Sequence, residues 1–212
     1  MATRKLSILG AGKIGRAVTR HWVRAGHDVV LGARSPQALA DFVAELGPRA
    51  RAASLADAAR EGEVVLLAVP AAAVDELLEQ VRPLLAGKVV LDATNPLAVT
   101  DEGRIVSPLG DVPAGVAMAE KLPDSTVVRA FSHVMDELLE LRGARQPGRW
   151  AMAIAGDDAA AKELVGELVR ETGFTPVDLG GLADSRQLDP GGVLFVAMLT
   201  EADMRARLAE VA

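Results

Sequence analysis

The sequence predicts an α/β fold: a doubly wound parallel sheet with a short α/β C-terminal extension. Three observations carry that expectation. Short apolar runs such as Val64 to Val69 and Lys88 to Asp92 alternate with amphipathic stretches along most of the chain. Such runs suit strands buried on both faces, as parallel sheets with right-handed helical crossovers require. The first apolar run, Lys5 to Leu9, passes directly into a turn with three glycines, Gly10-Ala11-Gly12-Lys13-Ile14-Gly15. Finally, 212 residues suffice for one α/β domain and a modest extension, but not for a large second domain.

Taken in order, the elements follow from local signals. After the glycine turn, Ile14, Val18, Trp22 and Ala25 recur at helical spacing and Gly26 supplies a stop. Asp28 to Leu31 reads as the second strand. Ser35-Pro36 is a cap and first-turn pair for a helix through Leu46, closed by Gly47-Pro48. A short strand falls near Arg51 to Ala53, a longer one at Val64 to Val69, a helix at about Ala72 to Leu85 and a strand at Lys88 to Asp92. Thr100 to Pro113, rich in glycine, proline and charge, reads as a loop over the carboxyl ends of the strands. Beyond it come a strand at Thr126 to Phe131, a helix near Met135 to Leu141 and a strand at Trp150 to Ala155. A helix from Asp158 to Thr172, a strand at Phe174 to Val177 and a terminal helix from Pro190 complete the pattern. The expected division is a nucleotide-binding domain over 1–123 and an extension over 124–212 for acceptor binding and dimerisation.

Composition narrows the function classes. With 23 basic against 29 acidic residues the formal charge is −6, which argues against nucleic acid or an anionic membrane as the main partner. The absence of cysteine removes thiol nucleophiles, disulfides and cysteine-ligated metal sites, and fits a reducing, cytoplasmic setting. The longest apolar run, Val193 to Leu199, is far short of a membrane span. No metal-ligand cluster stands out.

The chemistry concentrates at the carboxyl ends of the strands. In a glycine turn of this Rossmann type, Gly10 permits the tight turn, Gly12 lets backbone approach a pyrophosphate and Gly15 lets the helix pack against the sheet. The helix N-terminus around Lys13 and Ile14 then offers free N–H groups to the phosphates. NAD sites place a carboxylate at the end of the second strand; here Val30 to Ser35 has none, and Arg34 stands where a 2′-phosphate would arrive. NADP(H) is therefore the expected cofactor, with Ser35 beside it. Lys13 suits a bound anion or is simply a solvated lysine. Val69 and Pro70 close the fourth strand, and Thr94-Asn95 either touch the nicotinamide or open an Asx turn before Pro96. His133, with Ser132 beside it, sits at a strand end and is the natural residue to orient or protonate a substrate; its other reading is a histidine bonded to a loop carbonyl. Asp157-Asp158 starts a helix and reads as a cap. Hydride transfer between two redox rings demands chiefly alignment, which suits a site without an evident acid, base or metal.

Seven segments fall in a familiar order. They are Gly10 to Gly15, Leu31 to Pro36, Leu67 to Pro70, Leu91 to Leu97, Val128 to Phe131, Ala155 to Asp158 and Val177 to Gly180. In this the chain resembles the NADPH:coenzyme F420 oxidoreductases and their bacterial relatives. The resemblance implies a homodimer that passes a hydride between NADP(H) and coenzyme F420, an 8-hydroxy-5-deazaflavin, or a flavin. It places the pyrophosphate on Gly10 to Gly15, the 2′-phosphate on Arg34, the nicotinamide against Val69, Pro70 and Asn95, and the deazaflavin against Ser132 and His133, with Asp184 to Arg186 as the far wall. Ala33 and Ala38 depart from the family, which often carries Ser or Thr and a lysine there. Ser132 departs too, where many relatives have asparagine. An anionic deazaflavin calls for a local basic cluster, for which Arg129, Arg142, Arg145, Arg149 and Arg186 are the candidates. Two other readings remain open: an imine or carbonyl reductase related to pyrroline carboxylate reductases, and a redox-sensing NADP-binding module without turnover.

Overall fold

The structure is a computed structural model that describes residues 3–139 and 145–211. Strand β1 (Lys5–Leu9) leads through the glycine turn into helix α1 (Lys13–Ala25), which Gly26 ends in the left-handed conformation. Strand β2 (Asp28–Gly32) follows, then a 3-10 turn at Pro36–Leu39 running into α2 (Ala40–Leu46) and β3 (Ala50–Ala53). Helix α3 (Leu55–Glu61) begins at Ser54, whose hydroxyl accepts the Asp57 N–H. Next come β4 (Val64–Leu67), a short 3-10 turn, α4 (Val74–Leu85) and β5 (Val89–Asp92).

A small antiparallel hairpin, β6 (Ala98–Val99) with β7 (Ile105–Val106), occupies the stretch expected to be loop. After α5 (Ala114–Lys121) and β8 (Thr126–Arg129), a single turn α6 (Asp136–Leu138) precedes β9 (Ala151–Gly156). The end of the helix expected near Met135 to Leu141 lies outside the described residues. Helix α7 (Ala159–Glu171), capped by Asp158, then β10 (Thr175–Asp178), a 3-10 segment at Leu182–Leu188 and α8 (Glu201–Ala209) end the chain.

All strands but the hairpin join one sheet, in the order β10-β9-β8-β5-β4-β1-β2-β3. The six strands from β3 to β8 are parallel, and β10 is parallel to β9, but β9 runs antiparallel to β8. The expected parallel sheet is thus corrected at one junction. An antiparallel neighbour starts at the edge where the previous strand stopped, so β8 needs no helical crossover to reach β9. From β1 the chain winds first toward β3 and then, after crossing back, toward β8, which makes the β1/β4 boundary the switch point where ligands bind.

Both faces of the sheet are covered. Trp22, Val18, Phe42, Val165 and Phe174 pack with Leu6, Ile8 and Leu66 on one side, whereas Leu77, Val81, Leu85 and Met118 pack with Leu9, Val65 and Leu67 on the other. The expected helix from Pro190 forms only at its far end, as α8. Gly191 has φ 93° and Val196 φ 49°, values no helix contains, and Leu194 is buried in a third cluster with Leu188 and Met204. The part of the expected terminal helix over Val193 to Leu199 therefore does not form. Among the described residues no helix is long and apolar enough to cross a membrane.

Candidate active site at the switch point

The glycine turn holds the switch point open. Gly10 has φ 116°, and its N–H donates to the Gly32 carbonyl at 3.0 Å. A β-carbon there would overlap the carbonyl of Ala68 at the end of β4, and one on Gly15 would overlap the carbonyl of Gly10. Both glycines are thus demanded by the fold. Gly12 is different: its φ is −71°, and a β-carbon would meet no atom within 4 Å. Its lack of a side chain keeps space free rather than relieving a clash.

That space belongs to a cavity of about 530 Å³ between the ends of β1, β2 and β4 and the first turns of α4. Of the residues singled out in the sequence, Gly10, Gly12, Arg34, Ser35, Val69 and Pro70 line it. Arg34 is exposed, and among the described residues it has no carboxylate partner. Among the described residues no side chain caps α1, so the N–H groups of Ile14 and Gly15 remain available beside Gly12. Open backbone donors at one end, a free guanidinium at the other and an apolar wall containing Leu39, Leu55 and Leu77 fit a dinucleotide carrying a 2′-phosphate. Leu39, Leu55, Glu76, Leu77 and Gln80 were not foreseen. Ala73, Glu76, Leu77 and Gln80 follow the spacing i, i+3, i+4, i+7, but their mixed polarity hides the stripe.

Lys13, Ile14, Gly15, Asn95, Ser132 and His133 do not line this cavity. The last three stand together along the sheet, at the ends of β5 and β8. Asp92 opens an Asx turn there: its Oδ1 accepts from the Thr94 N–H at 2.9 Å and the Thr94 hydroxyl at 2.7 Å. Asn95 donates through Nδ2 to the Ser132 carbonyl, leaving Asn95 Oδ1 and Ser132 Oγ buried without a partner among the described residues. Phe131, at φ 62°, turns the chain out of the β8 ladder just before Ser132.

His133 is fully buried. Its Nε2 accepts the Ala153 N–H at 3.0 Å, taking the place of a ladder carbonyl that β8 no longer supplies to β9. Burial pushes its pKa down to about 4, outweighing the Ala197 backbone, which favours the protonated ring. The imidazole is neutral at pH 7.

The expected basic cluster is corrected by Arg129. Its side chain is fully buried, with Nη1 2.8 Å from Asp92 Oδ2 and Nη2 2.9 Å from Asp189 Oδ1. Nη1 also donates to the Thr94 carbonyl at 2.6 Å, and Asp189 Oδ2 accepts the Ala114 N–H at the start of α5. Register explains the first pair, because Asp92 and Arg129 are partners on adjacent strands. Arg186 is on the surface, paired with Asp111 at 2.8 Å, and Arg149 lies over the Trp150 ring. Arg145 is exposed, and Arg142 lies outside the described residues.

Comparison with known proteins agrees with this geometry. Residues 5–96 match the family described as NADP oxidoreductase, coenzyme F420-dependent. The chain is 31% identical over 199 residues to the F420-dependent NADP reductase of Methanothermobacter marburgensis, covering 87% of this chain and 88% of that protein. It is also 31% identical over 185 residues to the metalloreductase STEAP3 of Rattus norvegicus, covering 87% of this chain but only 36% of that longer protein. A crystal structure of a candidate F420-dependent NADP-reductase from Arthrobacter sp. FB24 superposes with a TM-score of 0.76 at 28% identity, covering 86% of this chain and 87% of that one. A relative of nearly the same extent at that identity, together with the switch-point cavity, establishes that the chain belongs to the coenzyme F420-dependent NADP oxidoreductase family.

Proposed function

We propose that the protein passes a hydride between NADP(H), held in the switch-point cavity, and a deazaflavin of the coenzyme F420 type. The observation that carries the cofactor half is the unpaired Arg34 at the end of β2, facing the same cavity as Gly10 and Gly12. In this reading the backbone around Gly12 binds the pyrophosphate, while Arg34 and Ser35 bind the 2′-phosphate. Lys13, Ile14 and Gly15 set the first turn of α1. Val69 and Pro70 form the wall that leads toward the nicotinamide end.

The chemistry supplied by a bound nicotinamide is two-electron hydride transfer, which requires near-contact of two rings and little else. Asn95 Oδ1 and Ser132 Oγ, two of the buried polar atoms without partners among the described residues, are suited to orient a ring amide or an acceptor carbonyl. His133 acts by position: its ring fixes the start of β9 and thereby the backbone that carries Ser132. The stretch from residue 124 onward forms the acceptor side, and the homodimer and the cytoplasmic setting belong to the same reading. The names of the methanogen and Arthrobacter relatives support a deazaflavin as the acceptor.

Anaerobic mixing of the protein with NADPH and coenzyme F420, with FMN in parallel, tests this directly. Loss of the deazaflavin absorbance band at the rate of NADPH oxidation is the expected result. Turnover with FMN alone would replace the acceptor, and NADPH binding without turnover on either would remove this reaction.

A further inference from the structure

The cavity carries two opposite charges that do not meet. Arg34 lines it from the end of β2 and Glu76 from α4, yet neither forms an ion pair or hydrogen bond among the described residues. The neighbouring carboxylate, Asp75, is paired with Lys121. Gln80 lies one helical turn beyond Glu76, lines the same cavity and is equally without a partner. Leu39, Leu55 and Leu77 line the same cavity. A cavity lined by apolar side chains and a few polar ones accepts a flat heteroaromatic ring by its faces and reads its edge.

A carboxylate is a poor choice for a cavity that receives phosphates. Like charges in one cavity repel, so Glu76 weakens binding unless it meets a hydrogen-bond donor of the same ligand. Away from its phosphates a dinucleotide offers donors in its ribose hydroxyls, its carboxamide and the exocyclic amine of its purine, and of these the amine sits on the edge of a flat ring that the leucine-lined wall accepts. We propose that Glu76, with Gln80, reads the base: the Glu76 carboxylate accepts from the 6-amino group of an aminopurine, and the Gln80 amide meets the adjacent ring nitrogen. The proposal rests on the cavity being the NADP site. Recognition then divides between two residues, Arg34 for the 2′-phosphate and Glu76 for the amine. A 6-oxopurine presents a carbonyl oxygen to the same carboxylate and is rejected by repulsion as well as by the lost bond.

Isothermal titration of the full chain with NADPH, its hypoxanthine analogue and NADH separates these roles without any turnover. The wild type should bind NADPH about tenfold more tightly than the analogue, the effect of one hydrogen bond to a charged group. Glu76→Ala should bring that ratio close to one and leave the NADPH/NADH ratio unchanged, whereas Arg34→Ala should do the reverse. Equal binding of NADPH and the analogue by the wild type, or a ratio that survives Glu76→Ala, overturns the base-reading role while leaving the NADP site intact. A wild type that binds none of the three overturns both.

Discussion

At the scale of single residues, His133 shows how burial decides what a side chain can do. A histidine at a strand end is chemically suited to proton transfer, but this one is enclosed and already accepts a backbone N–H. Its pKa is pushed from 6.5 down to about 4, chiefly by burial. In the window between those values the unfolded chain binds a proton that the folded chain refuses, so stability rises with pH there and falls as pH drops from 6.5 toward 4. Below the folded pKa the loss is complete, on the order of 3 kcal/mol. Thermal melts across that range should show the wild type losing melting temperature more steeply than His133→Gln, in which the amide oxygen can accept the same N–H. Parallel slopes would mean that the ring is not the titrating group. The sequence placed His133 at the end of a strand, yet its burial depends on residues far away along the chain, which no local pattern displays.

At the scale of elements, the glycine turn was legible because each glycine answers a local demand, and the structure separates those demands. Gly15 carries no side chain because the Gly10 carbonyl occupies the space, whereas Gly12 faces the cavity. Gly15→Ala should therefore cost about 1–3 kcal/mol of stability by overpacking. Gly12→Ala should keep stability within about 1 kcal/mol, the scale of an N-cap change, yet weaken NADPH binding about tenfold or more if the proposed pyrophosphate site beside Gly12 is correct, because the added methyl group takes up space in the cavity that Gly12 lines. Paired melting and binding measurements distinguish the two; equal effects of both substitutions on stability would contradict this division. Other elements were less legible. Helices α3 and α5 are short and alanine-rich, so their apolar spacing is weak, although the Ser54 to Asp57 cap is a signal that could have revealed α3. The terminal helix was over-read because Val193 to Leu199 is apolar, whereas Leu194 is buried from an irregular backbone instead.

At the scale of the whole molecule, what the sequence left hidden is mostly the joining of distant parts. The antiparallel entry of β9 and the buried ion cluster both depend on which strands become neighbours. A trace of the cluster was present in the sequence, since Asp92 and Arg129 each close an apolar strand, but pairing them requires the β5–β8 register. Arg129 ties together three regions: the loop after β5 through Asp92 and Thr94, the 3-10 segment's end through Asp189, and through Asp189 the start of α5. Two carboxylates share one guanidinium, and all three side chains are buried. Removing the cation leaves two enclosed negative charges, so Arg129→Met should destabilise the fold by about 3–5 kcal/mol, the cost of breaking a buried pair from one side. Adding Asp92→Asn and Asp189→Asn to that variant removes the stranded charges and should recover a substantial part of the loss, since the energetic burden is the uncompensated charge rather than the missing contact. Denaturant unfolding of the wild type, Arg129→Met and the triple variant measures this. A small loss for Arg129→Met, or no recovery in the triple variant, would show that the cluster does not hold these regions by its charge.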